Sequence, residues 1–177
     1  MRGVIFTELF ELIEEKFGYD RLDDVIDASS LDNDGAYSAT GNYSFEELVR
    51  IVVSLSEQTG IPVPALLEVY GEYLFPKLLK VLPELSKDAD ILEFVESVEN
   101  HIHVQVRKLY PDAELPTFEL LSSSPDKLEF YYVSKKNIPE LAKGLIIGAS
   151  KHFKQAVDVS FSKLENEKIL FTVTKSD

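Results

Sequence analysis

The chain has 177 residues, 45% of them hydrophobic, and no cysteine, so it can bury roughly 70% of its extended-chain surface in one domain, while disulfides, thiolate zinc sites and cysteine nucleophiles are excluded. Its net charge of -13 sits in residues 1–100, which hold 7 basic and 21 acidic side chains against 11 and 10 in residues 101–177; this argues against nucleic acid or anionic lipid as a partner. No run approaches ~18 apolar residues, and Glu8 and Glu11 interrupt the place where a signal peptide needs its apolar core, so a cytoplasmic protein that neither spans nor binds a membrane is expected.

Near the N-terminus Val4, Ile5, Leu9, Leu12, Ile13 and Phe17 recur at helical spacing until Gly18 ends the pattern. Leu22, Val25 and Ile26 mark a second, short helix before the polar loop Ser29 to Asn42. Within that loop Asp32-Asn33-Asp34-Gly35 resembles part of a calcium loop, but Ser30 takes the first ligand position and Gly41 the place of the closing glutamate, so calcium is not expected. Ser44 and Glu47 are spaced as a capping box and open a helix through Leu48, Val49, Ile51, Val52 and Leu55 toward Gly60. Pro64 suits the first turn of the next helix, through Leu67, Tyr70 and Leu74, which Pro76 should break or kink before Leu78, Leu79, Val81 and Leu82, with Pro83 ending the unit.

From Ala89 the positions Leu92, Val95, Val98, Ile102, Val106 and Leu109 mark one helix of about 20 residues, roughly 30 Å long. His103 falls in its last two turns, just ahead of a Pro-bounded loop ending at Pro116. His101 and His103 point about 200° apart on a helix and cannot chelate one ion together. A metal-dependent enzyme built from both, with Glu99, is therefore disfavoured. Taken alone, either imidazole reads first as an ordinary surface or satisfied core residue, and as a single ligand only when other evidence is added.

After Pro116 the period changes from helical to two. Phe118 to Leu121 and Leu128 to Val133 read as strands joined by a Ser/Pro/Asp turn, and Val157 to Phe161 with Ile169 to Val173 as a closing hairpin around Glu165-Asn166-Glu167. Between them Asn137 can cap a helix with Pro139 in its first turn, continuing through Leu141, Leu145, Ile146 and Phe153. The order predicts an α+β fold, helices first and then two hairpins flanking a helix. Tyr132, Ser134 and Lys136 alternate at a strand end, where two hydroxyls and an ammonium could clamp carboxylates or simply face solvent. Gly144 and Gly148, four apart in a helix, admit either a flat ligand or close helix-to-strand packing. No Ser/His/Asp arrangement, P-loop or dinucleotide fingerprint is present, so no enzymatic activity is expected.

Taken together, Ile102-His103, Lys108-Leu109-Tyr110-Pro111, Leu115-Pro116, Tyr132-Val133-Ser134 and Gly144-Leu145-Ile146-Ile147-Gly148 through Phe153 resemble the heme-nitric oxide/oxygen binding (H-NOX) family, related to the heme domain of soluble guanylate cyclase. The resemblance covers essentially the whole chain and its length matches a stand-alone bacterial member. It implies a single domain over residues 1–177, with a helical lobe over about 1–60, heme-ligand helices and a sheet lobe over about 61–177, and heme held between the lobes. It also implies heme b with His103 as proximal iron ligand, Pro116 pressing on and distorting the porphyrin, Tyr132 and Ser134 on the propionates, and Gly144 and Leu145 against the cofactor. Lys136 stands where the family has Arg, supplying charge without the bidentate fork, and Lys135 could share the task.

The resemblance places Ile5, Leu9, Leu74, Phe75 and Leu141 around the distal gas site. Leu141 stands where oxygen-binding members have a donor tyrosine, which implies selectivity for nitric oxide over oxygen, with carbon monoxide as a further ligand. The cysteine-rich zinc site of many stand-alone members cannot exist here. The implied role is a monomeric sensor signalling to a histidine kinase or a diguanylate cyclase through breakage of the His103–iron bond. The alternative is an interaction module of the same fold that binds heme weakly or not at all.

Overall fold

The structure, a computed structural model, describes residues 1–80, 89–165 and 168–176. Helix α1 (Gly3–Phe17) stops where Gly18 takes φ 89°, and α2 (Tyr19–Ala28) follows at once. Helix α3 (Phe45–Thr59) opens on Ser44, whose hydroxyl accepts from the Glu47 N–H, and closes on Gly60 in the left-handed region at φ 72°. Only half of the expected capping box forms. The Glu47 carboxylate is buried and accepts from the Asp32 N–H at 3.1 Å, so it anchors the loop before α3 instead of reaching back to Ser44.

Helix α4 (Val63–Leu79) runs unbroken through Pro76, contrary to the expected break there. Proline removes one backbone hydrogen bond, but Leu74 and Phe75 beside it are buried and hold the helix in line. The expected continuation at Val81, Leu82 and Pro83 lies outside the described residues. The single long helix foreseen from Ala89 is three pieces: α5 (Ile91–Ser97), a π-helical turn (Val98–Ile102) and α6 (His103–Leu109). Asp90 caps α5 by accepting from the Leu92 and Glu93 N–H groups.

Strands β1 (Thr117–Ser123) and β2 (Lys127–Val133), helix α7 (Pro139–Phe153) and strands β3 (Val157–Lys163) and β4 (Ile169–Lys175) complete the chain. The hairpins fuse into one antiparallel sheet of order β1-β2-β4-β3, with a register shift between Leu120 and Ser122. The Glu165 to Glu167 turn lies partly outside the described residues. Asn137 does not cap α7; it sits at φ 47° and turns the chain, and Ile138 is the residue ahead of Pro139.

Apolar side chains form two cores. In the first, Phe6, Leu9 and Ile13 of α1 meet Val25, Leu48, Ile51, Tyr70 and Leu74 from α2, α3 and α4. In the second, Ile91 and Val95 of α5 and Ile146 and Phe153 of α7 cover Leu128, Phe130, Phe171 and Val173 of the sheet. Stacked rings of Phe118, Phe130, Phe171 and Phe161 run across all four strands at centroid spacings of 4.7, 5.2 and 5.2 Å. Helix α7 divides the cores: Leu141 belongs to the first, Ala142 and Ile146 to the second, and Leu145 packs against both. Among the described residues no helix is long and apolar enough to cross a membrane.

Candidate functional site

His103 is the only buried residue of α6, and its ring meets Phe118 edge-on at 5.5 Å and 70°. His101, two residues away, is exposed, as helix geometry requires. The backbone N–H of His103 bonds the Val98 carbonyl, five residues back, which closes the π-turn directly beneath the imidazole. Below the ring, Nδ1 of His103 lies 2.9 Å from Oε2 of Glu99. A carboxylate only accepts, so Nδ1 carries the proton and Nε2 holds the free lone pair.

Burial pushes the imidazole pKa below its ordinary value against the opposing pull of Glu99, so His103 is neutral at pH 7. Burial pushes the Glu99 carboxyl up, but hydrogen bonds from His103 and the Phe118 N–H, with Arg107 adding to them, outweigh it and hold the group below the usual range. The Phe118 N–H donates to Oε2 at 3.1 Å and the Arg107 guanidinium to Oε1 at 3.2 Å. One carboxylate thus gathers the π-turn, α6 and β1.

Pro116 is half-buried immediately before β1. The Tyr132 phenol is buried, its pKa raised by that burial, with the Ser134 hydroxyl and the Ile138 backbone N–H against its oxygen. Ser134 and Lys136 are not on the strand, which ends at Val133. They come round through a turn in which the Lys136 N–H bonds the Ser134 hydroxyl at 3.2 Å, so one neighbourhood holds the trio for a different reason than strand alternation. The Lys136 ammonium donates to the Glu114 carboxylate at 3.0 Å and to its carbonyl at 3.3 Å.

Leu9, Leu74 and Leu141 lie in the helical core with Ile5 packed against them, whereas Phe75 faces the sheet-side core and meets Phe94 perpendicularly at 5.9 Å. The space left by the missing side chain of Gly144 is filled by the Glu68 carbonyl of α4, and that of Gly148 by Phe75 Cβ at 2.6 Å. Both glycines thus serve the α4–α7 crossing, an alternative to the ligand or strand expected beside them. Among the described residues, helix α6 makes its close backbone contacts chiefly with the π-turn ahead of it.

The haem-NO-binding family profile matches residues 2–161. The chain belongs to that family. Over 100% of its length it superposes on the Fe(II) unliganded H-NOX protein of K. algicida, covering 97% of that chain with a TM-score of 0.92 and 35% identity. It covers 95% of the Fe(II)CO, IWP-051-bound H-NOX of Shewanella woodyi over 99% of its own length, at 33% identity and a TM-score of 0.83. The Fe(II)NO H-NOX of S. oneidensis, at 22% identity, 100% of both chains and a TM-score of 0.90, shows the same fold. No curated protein sequence matches the chain.

The donor set suits the heme that the family implies: a neutral imidazole whose Nδ1 is held by Glu99, and a phenol and a hydroxyl side by side, while the Lys136 ammonium is held by Glu114. Among the described residues no group of three or more His, Asp or Glu side chains could hold a metal ion by itself. Sequence reasoning missed the partners of these residues. Glu99 stands four before His103, a spacing that pairs side chains on a helix, yet it was weighed only as an acidic neighbour of both histidines in a disfavoured metal site. Glu114 carried no comparable signal.

Proposed function

We propose that the protein is a heme-based sensor that takes nitric oxide at ferrous iron, discriminates against oxygen, and signals to a partner when His103 releases its bond to the iron. The observation that carries this is the buried, neutral His103 with its Nδ1 anchored on Glu99. Bound heme b supplies a coordination position for a diatomic gas, nitric oxide or carbon monoxide. His103 would hold the iron from one side through Nε2, with Pro116 against the ring. Tyr132, Ser134 and Lys136 would hold the propionates, and Lys136 must then exchange Glu114 for one of them.

Ile5, Leu9, Leu74, Phe75 and Leu141 would face the gas. None has a side-chain donor, so bound oxygen would go without the hydrogen bond that stabilises it, whereas nitric oxide needs none. Helix α6 is able to move because only His103 is buried on it. Its outer face carries Val104 and Leu109, 37% and 55% exposed, where a histidine kinase or diguanylate cyclase would read the shift. The reading is of a cytoplasmic monomer that catalyses nothing itself.

The Lys136–Glu114 pair gives a second reading some support: a module of the same fold whose ammonium is already satisfied and which holds heme weakly. Replacing His103 decides the ligand. His103→Gly should lose the five-coordinate ferrous spectrum and regain it with added imidazole; a variant spectrum unchanged without imidazole overturns the assignment.

A further inference from the structure

We infer that Glu99 is the positioning residue that sets how firmly His103 holds its ligand, and that it ties that hold to strand β1. The inference rests on the sensor reading above for the identity of the ligand, but the hold itself is visible in the protein alone. Three donors from two segments, α6 and β1, converge on this carboxylate of the π-turn: His103 Nδ1 at 2.9 Å and Arg107 at 3.2 Å from α6, and the Phe118 N–H at 3.1 Å from β1. Its side chain is only 21% exposed, so water competes weakly for these bonds.

The first bond fixes the tautomer. With the proton on Nδ1, the lone pair used for ligation is on Nε2, and a negative acceptor behind the ring makes that nitrogen a stronger donor to metal. The second bond runs to the residue whose own ring packs edge-on against the imidazole. Phe118 is two residues after Pro116 and begins the aromatic row across the sheet. Any displacement of His103 therefore loads the Glu99 carboxylate, and through it the first residues of β1. Arg107, one turn further along α6, closes the clamp from the other side.

The test compares Glu99→Gln, which keeps the shape and an acceptor but removes the charge, with Glu99→Ala. In resonance Raman spectra of the ferrous protein without gas, the iron–histidine stretching band should move to lower frequency in Glu99→Gln and further in Glu99→Ala. Heme transfer to an acceptor should speed up roughly 10–100-fold in the alanine variant. A control that only loosens the core, Leu92→Ala, should leave the band in place. In the heme-free protein, nitrogen NMR should find His103 protonated at Nδ1, and Glu99→Ala should shift it toward the Nε2–H form. A band unmoved by both substitutions, or a heme-free His103 protonated at Nε2 in the unaltered protein, overturns the inference. Should the unaltered protein show no iron–histidine band at all, the sensor reading fails, and the tautomer measurement still decides what Glu99 does.

Discussion

Where α4 crosses α7, Gly71 and Gly144 bring the two backbones into contact, with Gly144 Cα 2.9 Å from the Cβ position that Gly71 lacks, and Gly148 takes Phe75 against itself. Among the described residues no such seam meets α6: one buried side chain, a carboxylate beneath it and a π-turn hold it. A close-packed crossing of two helices resists displacement because interiors at crystal-like density have nowhere to yield. A seven-residue helix hung from a turn and two side-chain hydrogen bonds to Glu99 can shift as a unit. The contrast supports the proposal that α6 is the moving part and the α4–α7 crossing its platform.

The largest expected effect comes from forcing the platform apart. Gly144→Val drives a branched side chain into the Glu68 carbonyl and should cost about 3 kcal/mol, read as a lower urea midpoint at unchanged slope. A loss below about 1 kcal/mol would mean that the crossing is not the rigid seam described here.

Acid should act on the moving part first. The folded His103 has a pKa below its ordinary ~6.5, so the unfolded chain takes up that proton earlier as pH falls. Its contribution to stability is complete above about 6.5 and is lost as pH drops from there toward the folded value. Glu99 is also depressed, so its contribution is complete above the ordinary ~4.3 and is lost below that, as pH falls through its folded value. Urea melts of heme-free protein between pH 7.5 and 3.5 should therefore show stability falling in both windows, and His103→Leu should remove the decline in the upper one. Retention of that decline in the variant would place its origin elsewhere. The smallest effect belongs to the outside of α6: Leu109 is 55% exposed, and Leu109→Ser should change stability by no more than about 0.5 kcal/mol. A larger loss would show that α6 is packed after all.

Most of the fold was legible in the sequence, because Gly18, Gly60, Pro64 and Pro139 punctuate long periodic runs, and the switch from period 3.6 to 2 after Pro116 separates helices from sheet. The π-turn was not. Val98, Ile102 and Val106 keep helical spacing through it, so one widened turn of five residues leaves the periodicity intact. Pro76 misled because a local rule about one lost hydrogen bond says nothing of the buried neighbours that outweigh it. Helix geometry alone set His101 and His103 on opposite sides, and the resemblance chose His103, which is the buried one.

Tyr132, Ser134 and Lys136 were singled out in sequence by strand alternation, although Ser134 and Lys136 come round through a turn that leads into the left-handed Asn137, which alternation cannot detect. Gly144 was legible as a place of close approach, but which element approaches is a tertiary fact. Glu99 was legible only as an acidic neighbour of the two histidines, because its place as a shared acceptor comes from three donors that only the folded chain assembles.

The central claim is that His103 binds iron in a pocket that favours nitric oxide over oxygen. The most direct test is the absorption spectrum of the heme-supplemented protein in the ferrous state, with nitric oxide and then in air. The account predicts a five-coordinate ferrous Soret band, a shift on adding nitric oxide that reports loss of the histidine ligand, and oxidation in air without a stable oxygen complex. A persistent oxygen complex, or no Soret band at all, would contradict it.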